Sequence, residues 1–116
     1  MRETYRDRVD FRLIYVREAH PIEGGMPPWK EGQPMIEDPV TFSERVALAR
    51  RCVEELGLLG IPLLVDGMDD ALCRAYEAWP DRLYLIGLDG AVAWKCGRGP
   101  FGFDPDGLEQ AILALP

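Results

Sequence analysis

Two short apolar runs stand out along the chain, at residues 11–16 and 60–66. Both carry apolar side chains on both alternations, which predicts two strands that are covered on both faces. Proline has no N–H to donate to a neighbouring strand, so Pro62 is expected at the very start of the second strand. A cis bond between Ile61 and Pro62 is one way to place it there.

Three helices are predicted from their end signals and apolar spacing. The first begins with a capping box at residues 41–44 and ends at Gly57. The second begins at residues 69–70 and stops at Pro80, and the third begins at residues 104–105 with proline in its first turn. The residues expected to face inward, helix by helix, are Phe42, Val46, Ala49, Val53 and Leu56; Leu72, Ala75, Tyr76 and Trp79; and Leu108, Ala111, Ile112 and Leu115.

A hairpin is predicted between the second and third helices. The apolar stretches 82–86 and 91–95 flank Asp89-Gly90, which is typical of a two-residue type I′ turn. The element order is therefore β-α-β-α-β-β-α. This order predicts a single α/β domain over residues 1–116, with a mixed sheet and helices on both faces.

Composition narrows the class of partner. The chain has 116 residues and a net charge of −7, so we expect it to bind neither nucleic acid nor an anionic membrane surface. No apolar run is long enough to span a bilayer, and the charged N-terminus is unlike a signal peptide, so we expect a cytoplasmic protein.

The three cysteines are too few and too far apart for a disulfide scaffold or a zinc site, and the chain has one histidine. We therefore expect no metal and no bound cofactor. Cys52 flanks the first helix's apolar stripe and Cys73 is placed off the second helix's apolar face, so both are interpreted as packing residues. Cys96 is the one thiol near a candidate site, and the sequence shows no base beside it.

The densest polar cluster, Tyr15, Glu18 and His20, follows the first strand. Ligands of open α/β sheets bind beyond the carboxyl ends of strands, so these three side chains could handle protons at a catalytic site. Alternatively, the histidine caps the strand and the glutamate bonds loop amides. The irregular residues 22–38 that follow fit either a binding loop or an insertion.

A second candidate lies after the hairpin, at residues 97–100. Its two glycines allow close backbone approach to a ligand, and Arg98 could hold a carboxylate or a phosphate. An exposed turn is the alternative interpretation.

Several motifs in one order give the chain a family resemblance. It resembles the iodothyronine deiodinases from about residue 5 to the end. The segments that carry the resemblance are Ile14–Pro21, Ser43–Val46, Pro62–Asp66 with Met68, Tyr76, Asp81–Ile86 and Gly97–Pro100.

The resemblance implies a thioredoxin-like fold whose first βα unit is missing, and an activity that reductively removes iodine from an aromatic ring. It implies that Tyr15, Glu18 and His20 are catalytic and that Arg98 binds substrate. It also implies that Pro62 is a cis-proline facing the nucleophile. An external thiol reductant is expected.

The chain departs from the family pattern because it lacks the segment that carries the selenocysteine or cysteine nucleophile. We therefore expect this chain alone to be inactive, and Met1 to be an internal start. The missing strand is expected between residues 11–16 and 63–65, which would leave apolar edges able to pair in a homodimer. Two other functions stay open: a peroxiredoxin-like thiol oxidoreductase, and a non-catalytic module that binds a small aromatic acid.

Overall fold

The computed structural model describes residues 1–17 and 39–116. Its element order is α1 (Arg2–Tyr5), β1 (Leu13–Tyr15), α2 (Phe42–Glu55), β2 (Leu63–Val65), α3 (Ala71–Ala75), β3 (Tyr84–Ile86), β4 (Val92–Lys95) and α4 (Pro105–Leu113). The α/β class and the predicted order are confirmed, with the one-turn helix α1 added in front. The irregular residues 22–38 lie outside the described part of the chain.

The strands form two separate pairs rather than one sheet. β1 pairs with β2 in parallel and β3 pairs with β4 antiparallel, and no hydrogen-bonded ladder joins the pairs within the described residues. The described residues therefore show two sheets of two strands, not the single mixed sheet that the sequence predicts. The N-terminal segment connects the two halves by packing instead, since Tyr5, Val9 and Phe11 lie against the core formed by β3 and α4.

The expected gap between the first two strands is also wrong, because β1 and β2 are direct neighbours. Leu13 N–H donates to the Pro62 carbonyl at 2.9 Å, and Asp66 N–H donates to the Tyr15 carbonyl at 2.9 Å. These bonds occupy the facing edges of both strands. Nor are the strands covered on both faces, because Ile14 and Leu64, which pair in register, are 39% and 51% exposed.

Helix α2 begins and ends where the sequence predicts. Thr41 Oγ1 accepts a hydrogen bond from Glu44 N–H at 3.1 Å, while the Glu44 carboxylate accepts from Val40 N–H at 2.9 Å. Gly57 ends the helix with a φ of +69°, a conformation that glycine adopts without a Cβ penalty. Its buried face carries Ala49 and Val53 as predicted, but also Arg45, while Phe42 and Leu56 are about half exposed.

Helix α4 and the hairpin build the main core. Asp104 caps α4 by accepting from Gly107 N–H at 2.9 Å, and Pro105 takes the first helical position. Leu108 and Ile112 are buried against Leu85 of β3. These three side chains form the centre of the hydrophobic core, as the apolar spacing of the last helix predicts.

The hairpin is confirmed, but its turn is not type I′. That turn needs a positive φ at both central residues, and here Gly90 has a φ of +83° whereas Asp89 is not among the positive-φ residues. The connection is five residues long, closed by Gly87 N–H donating to the Ala91 carbonyl at 2.8 Å. A longer loop with one glycine in the left-handed region replaces the two-residue turn.

Candidate active site at the ends of the parallel strands

The carboxyl ends of β1 and β2 lie side by side. Tyr15 is in register with Val65, and the next residue of β2, Asp66, donates its backbone N–H to the Tyr15 carbonyl. Tyr15 is half-buried at this edge. The edge is where ligands bind in open α/β sheets, so the structure places Tyr15 where the sequence predicts a site.

Asp66 fills a structural role at this edge. It is 1% exposed, and its two carboxylate oxygens accept hydrogen bonds from Leu72 N–H at 3.0 Å and Cys73 N–H at 2.9 Å. These are free N–H groups of the first turn of α3, so Asp66 caps that helix from the end of the neighbouring strand. A buried carboxylate with both oxygens bonded to backbone is not placed to act as a general base.

Arg45 fixes the same edge from α2. Its Nη1 donates to the Gly67 carbonyl at 2.8 Å, the Asp66 carbonyl at 3.3 Å and Asp70 Oδ1 at 3.0 Å. The arginine is 4% exposed, and its Nε is buried without a hydrogen-bond partner among the described residues. The sequence analysis missed this residue, although its position four residues before Ala49 puts it on the buried stripe of α2.

The thiols of this region are poorly placed for nucleophilic chemistry. Cys73 is 7% exposed, and burial, followed by the negative charge of Asp70, raises the pKa of its thiol. It is the buried residue of α3, so its predicted place off the apolar face is wrong: the helix turns this thiol, rather than Ala75, towards the interior. Cys52 lies half-buried on α2.

Cys96 is equally embedded. It is 6% exposed, its Sγ donates to the Gly97 carbonyl at 3.0 Å, and the same atom accepts from Leu83 N–H at 3.3 Å. A thiol used in this way holds two backbone segments together. The nucleophile is a thiolate, and this environment offers the Cys96 thiol no basic side chain among the hydrogen bonds of the described residues.

An arginine stacked on a tryptophan lies beside the strand ends. Arg17 follows β1 by two residues, and its guanidinium carbon lies 4.8 Å from the centroid of the Trp79 ring. Arg17 is exposed and Trp79 is half-buried. The indole Nε1 of Trp79 is buried with no hydrogen-bond partner within residues 1–17 and 39–116. The sequence analysis placed Trp79 only as a packing residue and did not single out Arg17.

The loop that carries Arg98 is joined to the same region. Gly99 N–H donates to the carbonyl of Asp81 at 2.9 Å, and Asp81 is two residues beyond Trp79. Gly102 N–H closes the loop onto the Arg98 carbonyl at 2.9 Å. The Arg98 side chain is exposed, and no ion pair to it is present in the described part of the chain.

The predicted site residues therefore divide into three groups. In the first group, the Tyr15 carbonyl accepts a hydrogen bond from Asp66 N–H, and the loop of Arg98 is bonded to the Asp81 carbonyl through Gly99 N–H. Glu18 and His20 lie outside the described residues. Pro62 lies at the amino end of β2, away from Tyr15, and is exposed.

The prediction of a cis bond before Pro62 is wrong. The cis peptide bonds of the described residues precede Pro80 and Pro100. Pro62 joins the ladder through its carbonyl, which accepts a hydrogen bond from Leu13 N–H. The ladder needs no N–H donor at this position, so the proline is tolerated there.

Within residues 1–17 and 39–116, no group of three or more histidine, cysteine or acidic side chains is arranged to hold a metal ion. No helix in this part of the chain is long and apolar enough to cross a bilayer. A groove of about 320 Å³ opens at the amino end of β2, on the far side from Tyr15, and is lined by Arg50, Val53, Glu54, Leu59, Gly60, Ile61 and Leu63.

The fold defines an α/β protein, and the carboxyl edge of its parallel strands is its candidate ligand site. Comparison with known proteins is more specific. The family model for iodothyronine deiodinase matches residues 1–113. The thyroxine 5-deiodinase of Homo sapiens is 35% identical over 99 residues, which is 85% of this chain and 31% of that protein. Those of Aquarana catesbeiana and Gallus gallus are 35% and 36% identical over 99 residues, or 84% of this chain and 34% and 36% of theirs.

The chain belongs to the iodothyronine deiodinase family. It spans about a third of the length of the curated relatives that it matches.

Proposed function

We propose that this chain provides the substrate-binding and proton-handling part of a deiodinase-like oxidoreductase that acts on an iodinated aromatic compound. The observation that carries the proposal is the family match, which extends over residues 1–113 and includes every residue assigned to the site. The relatives at about 35% identity bear the name thyroxine 5-deiodinase, so thyroxine is the first substrate to test.

The proposed reaction exchanges iodine for hydrogen on the ring. A thiol or selenol takes the iodine as a sulfenyl or selenenyl iodide, and a proton goes to the ring carbon. A second, external thiol then reduces that iodide, giving a mixed disulfide or selenosulfide, free iodide and a proton. Tyr15, Glu18 and His20 are the proposed proton carriers, because a carboxylate can fix an imidazole in the tautomer that donates.

Arg98 is the proposed anchor for the carboxylate of the substrate. Its side chain is exposed, and its backbone is held by the Asp81–Gly99 and Arg98–Gly102 hydrogen bonds. A guanidinium binds a carboxylate through two parallel hydrogen bonds, which fixes orientation as well as position.

The atom that takes the iodine is proposed to be none of this chain's thiols. Cys73 and Cys96 are buried, and burial raises the pKa of Cys73 away from the thiolate form. Cys52 lies seven residues after Arg45, about 10 Å along α2 from the end of the helix that contacts the strand-end site. The proposal therefore assigns the nucleophile to a separate thiol or selenol.

The first experiment measures thyroxine binding by calorimetry. The unchanged chain is expected to bind, and Arg98→Met is expected to bind at least about tenfold more weakly, since a hydrogen bond to a charged group contributes about 1.5–3 kcal/mol. Arg12→Met is the matched control, because Arg12 is an exposed arginine at the opposite end of β1. No binding by the unchanged chain would overturn the proposal.

The second experiment supplies a nucleophile from solution. Iodide release from thyroxine is followed with dithiothreitol alone and with a small selenol, selenocysteamine, kept reduced by dithiothreitol. We expect no release above background with dithiothreitol alone, and a selenol-dependent release that the chain accelerates and that His20→Asn abolishes. Release with dithiothreitol alone would show that one of the three thiols is the nucleophile.

The placement of the thiols favours one other function, a non-catalytic module that binds an aromatic acid. Both functions predict binding that depends on Arg98. They differ in the selenol experiment, because a binding module would hold thyroxine without accelerating iodide release.

A further inference from the structure

The stacked pair Arg17 and Trp79 has the features of a ring-binding platform. The guanidinium lies over the indole at 4.8 Å, within the distance at which a cation is attracted to an aromatic face. Arg17 is nevertheless exposed, and no described residue forms an ion pair with it. Within residues 1–17 and 39–116, therefore, no carboxylate competes with a second ring for the guanidinium.

Trp79 gives the pair a fixed base. Its ring is half-buried, and its Nε1 lies out of contact with water. The backbone just beyond it is tied down, because the Asp81 carbonyl accepts from Gly99 N–H. An arginine held over a half-buried ring has fewer orientations open to it, which lowers the entropy lost when a ligand stacks on it.

The pair also lies near the strand-end site, at the carboxyl ends of β1 and β2. The charge of Arg17 acts on Cys73 and lowers the pKa of that thiol, against the larger opposing effects of burial and Asp70. The Cys73 N–H donates to the carboxylate of Asp66, and the Asp66 N–H donates to the Tyr15 carbonyl. Arg17 is therefore near the carboxyl ends of both parallel strands.

We propose that Arg17 and Trp79 form the subsite for the iodinated ring of the substrate, with the ring stacked on the outer side of the guanidinium. The inference rests on the proposed function and adds residues to it. An iodinated phenol readily loses its proton, and the electron-rich phenolate ring that results is the kind of ring that a guanidinium attracts.

The position of Arg98 fits this arrangement. Two peptide units lead from Trp79 to Asp81, whose carbonyl accepts a hydrogen bond from Gly99 N–H, and Gly99 directly follows Arg98. The Cα atoms of Trp79 and Arg98 therefore lie no more than about 18 Å apart. Both arginine side chains are exposed, and in the proposed arrangement a two-ring amino acid contacts Arg17 with one ring and Arg98 with its carboxylate.

Calorimetry with thyroxine and with iodine-free thyronine tests the subsite. Arg17→Met is expected to weaken thyroxine binding by about threefold to thirtyfold, the range that a cation–π contact supports. Arg17→Lys keeps the positive charge but lacks the planar guanidinium, so its affinity for thyroxine should lie between those of Arg17→Met and the unchanged chain. Trp79→Phe keeps a ring under Arg17 and should lose less than Arg17→Met. Arg12→Met is the control, and thyronine should be less sensitive than thyroxine to Arg17→Met.

A spectroscopic measurement makes the test independent of affinity. In a ¹⁵N-labelled chain the indole N–H resonance of Trp79, assigned by its loss in Trp79→Phe, is expected to shift when thyroxine is added. If the unchanged chain binds thyroxine while Arg17→Met binds equally well and the Trp79 resonance stays in place, the subsite is wrong and the proposed function stands. If the unchanged chain binds no thyroxine, both are wrong.

Discussion

Arg45 and Asp70 form an ion pair, with Nη1 of the arginine 3.0 Å from Oδ1 of the aspartate. The arginine side chain is 5% exposed and the aspartate side chain 25%. The same nitrogen also donates to the carbonyls of Asp66 and Gly67. One side chain of α2 thus satisfies three oxygen atoms at the turn between β2 and α3. This turn forms one wall of the strand-end site, so its geometry depends on a residue far from it in the sequence.

The first prediction concerns removal of this arginine. Arg45→Met keeps the apolar stem and leaves the Asp70 carboxylate and two carbonyls without their donor. We expect the free energy of unfolding to fall by about 2–4 kcal/mol, because a partly buried carboxylate and two carbonyls lose their donor. Urea unfolding followed by circular dichroism measures it. Arg51→Met on the exposed face of the same helix should change stability by less than about 1 kcal/mol, and a similar loss in both variants would contradict the prediction.

The second prediction concerns the cap of α3. Asp66→Ala removes both acceptors for Leu72 and Cys73 N–H and should lower the free energy of unfolding by about 2–3 kcal/mol, because the two donors are left unbonded. Asp66→Asn keeps one acceptor and should lose less. Asp69→Asn, at an exposed position next to the same helix, is the control for charge.

Helix ends could be predicted from the sequence because their signals are local. Thr41 caps α2, Gly57 ends it, and Asp104 with Pro105 begins α4, all through bonds within four residues along the chain. The hairpin was predictable for the same reason. Its turn type was not predictable, because β3 ends before Gly87 and β4 begins after Ala91, so the strands do not flank Asp89-Gly90 directly.

The parts that were predicted wrongly depend on contacts between distant segments. The pairing of β1 with β2, the trans bond before Pro62 and the inward position of Cys73 are set by tertiary packing that apolar spacing does not encode. For the site, strand-end reasoning predicted Tyr15 and the resemblance added a substrate role for Arg98, and both roles stay predictions. Arg45 and the Arg17–Trp79 pair were missed, because a charged residue on a helix or after a strand is usually solvated.

The third prediction tests the loop of Arg98. A Cβ at Gly102 would lie 2.5 Å from the carbonyl carbon of Gly97 and 2.6 Å from the carbonyl oxygen of Arg98, which are backbone atoms that cannot rotate away. Gly102→Ala should therefore cost about 1–3 kcal/mol of stability and also weaken thyroxine binding. Gly57→Ala, strained by its φ but with open space around it, should cost about 1–2 kcal/mol and leave binding unchanged.

The fourth prediction is a pH dependence of stability. Burial raises the pKa of Cys73 above its value in the unfolded chain, so the folded state favours the protonated thiol. This stability is fully present below the unfolded pKa, near 9, and is lost as the pH rises through the folded pKa. Urea midpoints should fall above about pH 9, and Cys73→Ala should flatten the fall.

A second group titrates at higher pH and must be separated from the first. The hydrogen bond that Tyr5 donates to Glu109, at 2.6 Å, raises the pKa of the Tyr5 hydroxyl above 10. Tyr5→Phe should remove only the part of the loss that appears above about pH 10. A fall between pH 9 and 10 that persists in Cys73→Ala would contradict the assignment to the thiol.

The fifth prediction ranks the three thiols by reactivity and bears on the nucleophile. Iodoacetamide at pH 8 should modify Cys52 first, because Cys73 and Cys96 are 7% and 6% exposed. Peptide mass spectrometry over time measures the order, and all three should react at similar rates in concentrated urea.

Cys96→Ala removes the acceptor of Leu83 N–H and should lower stability by about 1–2 kcal/mol without changing thyroxine binding. Fast modification of native Cys96, or weaker binding in Cys96→Ala, would instead place this thiol in the chemistry of the site.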